Sequence, residues 1–259
     1  MNRVKCWTGH VLLLACFCFS DLFAYERVVL EPAQDNTLYE TPIDQEEQKF
    51  EMSNGAGSSV FAGRTGLDAS YRRRRALLQF DLASSLPADA EIIFAELSLY
   101  QSKAAPGSPP VAMNLHRVLE SWGEGESNAF GPEGQGNPAE PDDATWHHSH
   151  YADVLWEMAG GSYQESPSVS TTVGQSLGSY LWSCNESLLE DLRFWHRTPE
   201  QNFGWILVGG EAGGFSAHRF SSREHNTPEQ RPVLTIIYKQ PHDIFEDGYE
   251  KSLNCPGSG

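Results

Sequence analysis

The chain has 259 residues, with 18 basic against 35 acidic side chains, a net charge of −17 and 39% hydrophobic residues. All-β folds of about 200–250 residues commonly form one domain, so the length suits a single domain with appendages. So acidic a chain excludes nucleic acid and anionic lipid surfaces as natural partners, and past residue 25 nothing approaches the ~20 apolar residues of a membrane helix.

The first 24 residues stand apart. Arg3 and Lys5 form a positive start, Val11 to Phe19 is nearly unbroken apolar sequence, and Ala24 offers a small residue for cleavage before Tyr25. This is the form of a secretory signal peptide. Leu13-Leu14-Ala15-Cys16 also has the form of a lipoprotein cleavage box, a lesser reading because the apolar stretch before Cys16 is short. Without Arg3, Lys5 and Asp21, 16 basic and 34 acidic residues remain, a charge of −18. Cys6, Cys16 and Cys18 leave with the signal, and Cys184 and Cys255 stay. In an oxidising compartment these two are candidates to pair, tying the tail to the segment before a helix; two unpaired thiols are the alternative.

Short β-type runs separated by turn residues follow. They begin with residues 27–31, 37–40 and 60–63, the last after the turn Asn54-Gly55-Ala56-Gly57. Residues 75–82 and 92–100 carry the clearest pattern: Ala95, Leu97 and Leu99 alternate with Glu96 and Ser98, the period of a half-buried strand. Another strand is expected over 111–119. Residues 123–145 are rich in Gly, Pro, Glu, Asp and Asn, and a loop this long is functional, metal-stabilised or mobile. One short helix is expected at about 186–196, with Ser187 to Glu190 in capping-box form and Leu188, Leu189, Leu192 and Trp195 on one face. Residues 204–209, 217–221 and 233–238 read as closing strands. The organisation is therefore a signal peptide over 1–24, a β-sandwich domain over 25–240 and a tail over 241–259.

Several pieces occur in a familiar order. They include Asp35-Asn36-Thr37, the Asn54-Gly55 turn, Arg75 to Leu82, Ala95 to Tyr100, Ser121-Trp122-Gly123-Glu124 and Asp143-Ala144-Thr145-Trp146. Trp156 with Gly160-Gly161, Asn202 to Trp205, and Phe220 to Glu224 before Arg231-Pro232 complete the set. In this order, over about residues 26–239, the chain resembles the DNRLRE-type secreted domain, also described as carbohydrate-binding module family 96. The resemblance implies a jelly-roll-like antiparallel β-sandwich, polysaccharide binding in some members and calcium as a structural ion. Fold carries over more firmly than function.

The candidate chemistry is stated beside its plainer alternative. Tyr71-Arg72-Arg73-Arg74-Arg75 is a positive island on an acidic chain. A guanidinium fork holds a carboxylate bidentately, so Arg72 and Arg74, on one face of a strand, are candidates for a uronic-acid polymer; pairing with the protein's own carboxylates is the alternative. Trp122, Trp146 and Tyr151 are candidate stacking platforms for sugar rings, against burial in the core. Glu124, Asp142 and Asp143 are candidate calcium ligands, against a solvated acidic loop. His147-His148-x-His150 lacks the spacing of a zinc set. The chain contains no H-E-x-x-H or P-loop sequence. The reading is a secreted, monomeric, non-catalytic module whose partner is a polysaccharide or cell-surface glycan. A structural or adhesive domain without a sugar site and a polysaccharide-active enzyme are the alternatives.

Overall fold

Alternating apolar and polar residues dictate strands over most of the chain, and the computed structural model, which describes residues 23–40, 51–66, 73–241 and Cys255, arranges them as antiparallel pairs. The first half contributes β1 (Phe23–Leu30), β2 (Gln34–Tyr39), β3 (Met52–Ser53), β4 (Ser59–Arg64), β5 (Arg73–Gln79), β6 (Glu91–Ala104) and β7 (Val111–Arg117). Three short strands follow, β8 (Asn137–Pro138), β9 (His148–His150) and β10 (Val154–Leu155). Then come β11 (Val169–Val173), β12 (Gly178–Trp182), helix α1 (Glu186–Arg197), β13 (Trp205–Gly209), β14 (His218–Ser221) and β15 (Val233–Pro241).

The main sheet runs β1-β15-β6-β14-β4-β5-β13-β7-β11, with β12 also on β6 and β2 also on β5. Over the described residues the fold is all-β with one α-helix, as the sequence indicates. Strand β4 turns the corner between the halves: Ser59 to Ala62 pair with β14, while Gly63 and Arg64 pair with β5. Gly63 has φ +109°, and a Cβ there would collide with the backbone of Ser216, so the corner needs glycine. At the other side of the curl, Thr171 Oγ1 of β11 donates to Leu181 O of β12 at 2.6 Å.

The core fills the inside of this curl. In β6, Ala95, Leu97, Leu99 and Gln101 are buried while Glu96, Ser98 and Tyr100 are half-buried, the two-residue period expected of a sheet with one inner face. Trp182, Trp195, Trp205 and Phe220 are its largest members, and the Trp195 and Trp205 rings meet edge to face at 4.7 Å. Helix α1 supplies Leu188, Leu189, Leu192 and Trp195 to this core, each apolar side chain contributing about 2 kcal/mol. Its cap differs from the expectation. The N-cap is Asn185, whose Oδ1 accepts from Leu188 N at 2.8 Å, so Ser187 lies inside the first turn. Asn is at least as good a cap as Ser, and its position starts the helix two residues earlier.

Strands β11 and β12 occupy sequence that carries no strong pattern. Only Val169 and Val173 of β11, and Trp182 of β12, are buried. The expected cleavage point at Ala24 falls within β1, where Ala24 pairs with Gln240. The tail over 241–259 lies outside the described residues except for Pro241 and Cys255. Cys255 is buried and joined to Cys184 in a disulfide, with the two Cα atoms 5.4 Å apart.

Candidate functional site

The Asp35-Asn36-Thr37 segment of β2 is wholly buried, yet every side chain is polar. Such a run is tolerated only where each group finds a partner. Thr37 Oγ1 accepts from Phe61 N at 3.1 Å. Asn36 Oδ1 accepts from Ser53 Oγ and Asn54 N at 3.0 and 3.1 Å, and its Nδ2 donates to Glu124 O at 2.7 Å. Asn36 thus fixes the start of the long loop against the sheet. Asp35 Oδ2 accepts from Arg223 N at 2.7 Å, while its Oδ1 has no hydrogen-bond partner.

Glu124 and Glu224 join Asp35, one oxygen of each carboxylate lying within 4.8 Å of the others. Arg223 crosses the group. Its Nε and Nη2 donate to the two Glu124 oxygens at 2.6 and 2.8 Å, and Nε lies 2.8 Å from Glu224 Oε1. Asp35 N also donates to Glu124 Oε1 at 2.8 Å. Burial and the neighbouring Glu224 hold the Asp35 carboxyl well above the usual range, and burial pushes Glu224 up to about 7.

The loop that starts at Glu124 is stapled along its length. Asp143 is buried, and its oxygens accept from Glu140 N at 2.6 Å and Ser127 N at 3.4 Å. Gly125 has φ +70°, and a Cβ there would fall on Asp143 Oδ1. Asn54 Oδ1 accepts from Ala129 N at 2.8 Å, and Ser58 Oγ donates to Glu133 Oε1 at 2.6 Å. The loop is therefore ordered by polar contacts rather than by apolar burial, and it carries Phe130, 91% exposed, over the sheet.

Beneath Phe130 lies a groove of about 560 Å³. The register builds its floor: Phe61 of β4 pairs with Arg219 of β14, and Arg219 pairs with Lys103 of β6. Directly opposed residues of antiparallel strands share one face, so an aromatic ring, a guanidinium and an ammonium stand in a row. Arg219 Nε donates to Ser102 Oγ at 2.9 Å, and Lys103 is exposed. Arg74 and the Pro132 to Gly136 segment form another wall. Arg74 lies over the Tyr39 ring, 4.8 Å from its centroid, and its Nε donates to Gly134 O at 3.2 Å. His218 is buried under the floor with Nδ1 2.5 Å from Gln101 Oε1, and burial lowers its pKa.

The residues singled out from sequence are dispersed. Arg72 lies outside the described residues. Arg74 lines the groove. Trp122 and Trp146 are buried, at 3% and 4% exposure, which leaves no ring face for a sugar. Trp122 Nε1 donates to Phe203 O at 2.8 Å, and the guanidinium groups of Arg73 and Arg75 each stand 4.8 Å from the Trp146 ring centroid. Tyr151 is half-buried, its ring edge-on to His148 at 5.3 Å. The flanking arginines take internal partners: Arg73 holds Glu40, and Arg75 grips Glu211 through two bonds of 2.7 and 2.9 Å. Of the three expected calcium ligands, Glu124 joins Asp35 and Glu224. Asp142 is exposed with its Oδ1 2.6 Å from His150 Nδ1, and Asp143 accepts backbone N–H groups. Glu124 and Asp142 do line a common cleft of about 430 Å³.

Lys103, Arg219, Phe61 and Phe130 were not found from the sequence. Alternation places 103 on a strand, but the cross-strand row exists only in the register. No family model matches the chain, and no curated protein sequence matches it.

Proposed function

We propose that this protein is a secreted, non-catalytic polysaccharide-binding module of the jelly-roll DNRLRE type, with the groove beside Phe130 as its sugar site and uronic-acid polymers as preferred ligands. The observation that carries this reading is the row Phe61, Arg219 and Lys103, flanked by Arg74 and overhung by an exposed Phe130. On a chain of net charge −17, three cations on one groove form a local positive field with the exposed Phe130 ring beside them. Guanidinium and ammonium groups bind sugar carboxylates, and an exposed aromatic ring takes the C–H face of a pyranose. Glu133, the acid of this wall, already has its carboxylate bonded to Ser58 Oγ and Asn54 Nδ2. The disulfide supports an extracellular setting, where such bonds persist. The carboxylates of raised pKa among the described residues, Asp35, Asp143, Asp191 and Glu224, do not line the groove, which supports binding over hydrolysis.

Affinity electrophoresis tests this. The protein should be retarded in gels containing alginate or pectin and much less in neutral xylan or β-glucan. Lys103→Ala with Arg219→Ala should abolish the retardation. No retardation of the folded protein by any polymer would sink the sugar-binding reading and leave a structural or adhesive domain as the better account.

A further inference from the structure

Three chain segments distant in sequence bring their acids to one buried point: Asp35 on β2, Glu124 at the root of the long loop, and Glu224 after β14. Among the described residues Arg223 is the cation bonded to the group, so three carboxylates face one guanidinium and two negative charges remain uncompensated. Two oxygens are also uncompensated. Asp35 Oδ1, on a side chain with no solvent exposure, accepts no hydrogen bond, and neither does the buried Glu224 Oε2. Buried carboxylate oxygens are normally paired or bound to a metal.

We propose that Asp35, Glu124 and Glu224 form a site for a hard divalent cation, calcium by preference. Its charge of two matches the deficit. Its demand for oxygen ligands matches the donor set, and the mutual spacing of the oxygens is that of ligands around one ion. Asp35 and Glu224 supply the free oxygens, and Glu124 is shared with Arg223. The ion ties β2 and the turn after β14 to the root of the loop that carries Phe130.

The site is tested without any glycan, so its failure is distinct from failure of the sugar-binding reading. Chelator-treated full chain is titrated with calcium by calorimetry, and its melting is followed with calcium and with chelator. About one ion per chain should bind and raise the melting temperature. Asp35→Asn and Glu224→Gln should each weaken calcium binding by roughly tenfold or more. Without the ion, both variants should melt at or above the wild-type temperature, because a neutral amide relieves the repulsion. Asp142→Asn, in the exposed part of the loop, should bind as wild type does. Absence of calcium binding by the folded wild-type chain would overturn the proposal, as would unchanged affinity in both Asp35→Asn and Glu224→Gln.

Discussion

Cys184 and Cys255 close a long loop, and removing the bond should cost a calculable amount. The sequence separation is 71 residues, and the chain-entropy relation for a loop of that length gives about 4.4 kcal/mol at 25 °C. For a domain of this size, 1 kcal/mol corresponds to about 2–4 °C in melting temperature, so the expected loss is roughly 9–18 °C. The bond also places Cys255 under the sheet, its Sγ 3.8 Å from Ile93 O, while Cys184 Sγ accepts from Ala95 N at 3.4 Å. The variant Cys184→Ser with Cys255→Ser, unfolded in urea beside the oxidised wild type, measures the effect. Thiol titration of the unreduced, denatured wild type provides a second readout and should find neither thiol free. A stability loss below about 1 kcal/mol, or two titrating thiols, would refute the reasoning and detach the tail from the domain.

Arg75→Ala removes the donor to Gly160 O and the bidentate partner of Glu211, which among the described residues keeps only Arg73 at 3.8 Å, so urea melts should report a loss of about 3 kcal/mol. Arg75→Lys should recover less than about half of it, because an ammonium cannot form the fork. Asp191 is buried beneath α1, where it accepts from Trp205 Nε1 at 2.8 Å and lies 3.4 Å from Arg117 Nη1. Asp191→Ala should cost about 3 kcal/mol by leaving Trp205 Nε1, Ser168 Oγ and Arg117 without their shared partner. Burial raises the Asp143 carboxyl from 3.8 to about 6, so the folded state holds this proton more firmly than the unfolded state. Its contribution is therefore most favourable below pH 4 and declines as pH rises from about 4 to about 6, by up to about 3 kcal/mol. Asp143→Asn should flatten that part of the stability–pH curve, as measured by denaturation at successive pH values.

What the sequence discloses depends on how local the determining physics is. Strand β6 and the apolar face of α1 are legible because the two-residue and helical periods each lie within one element. Strands β11 and β12 are not, since they bury only a few side chains and owe their pairing to β7 and β6. The arginine run drew attention to itself, yet Arg73 and Arg75 close on Glu40 and Glu211, acids far along the chain. For Trp122 and Trp146 the sequence leaves stacking and core burial both open, and burial is the outcome, because polar staples fold that loop onto the sheet. Of the acids expected to bind calcium, Glu124 lies beside Asp35 and Glu224, which the sequence does not single out, because a cluster drawn from three segments has no sequence spacing to detect. The groove is similar: Lys103, Arg219 and Phe61 come from different strands, and only β-pairing sets them side by side.

Calorimetric titration with a short oligouronate, at low and at physiological ionic strength, tests the central claim most directly. Saturable binding that weakens with salt, and that is lost in Lys103→Ala with Arg219→Ala while the variant melts like wild type, is the predicted result. Heat of binding that survives those substitutions unchanged, or no heat from the folded protein, would contradict the assignment of the groove.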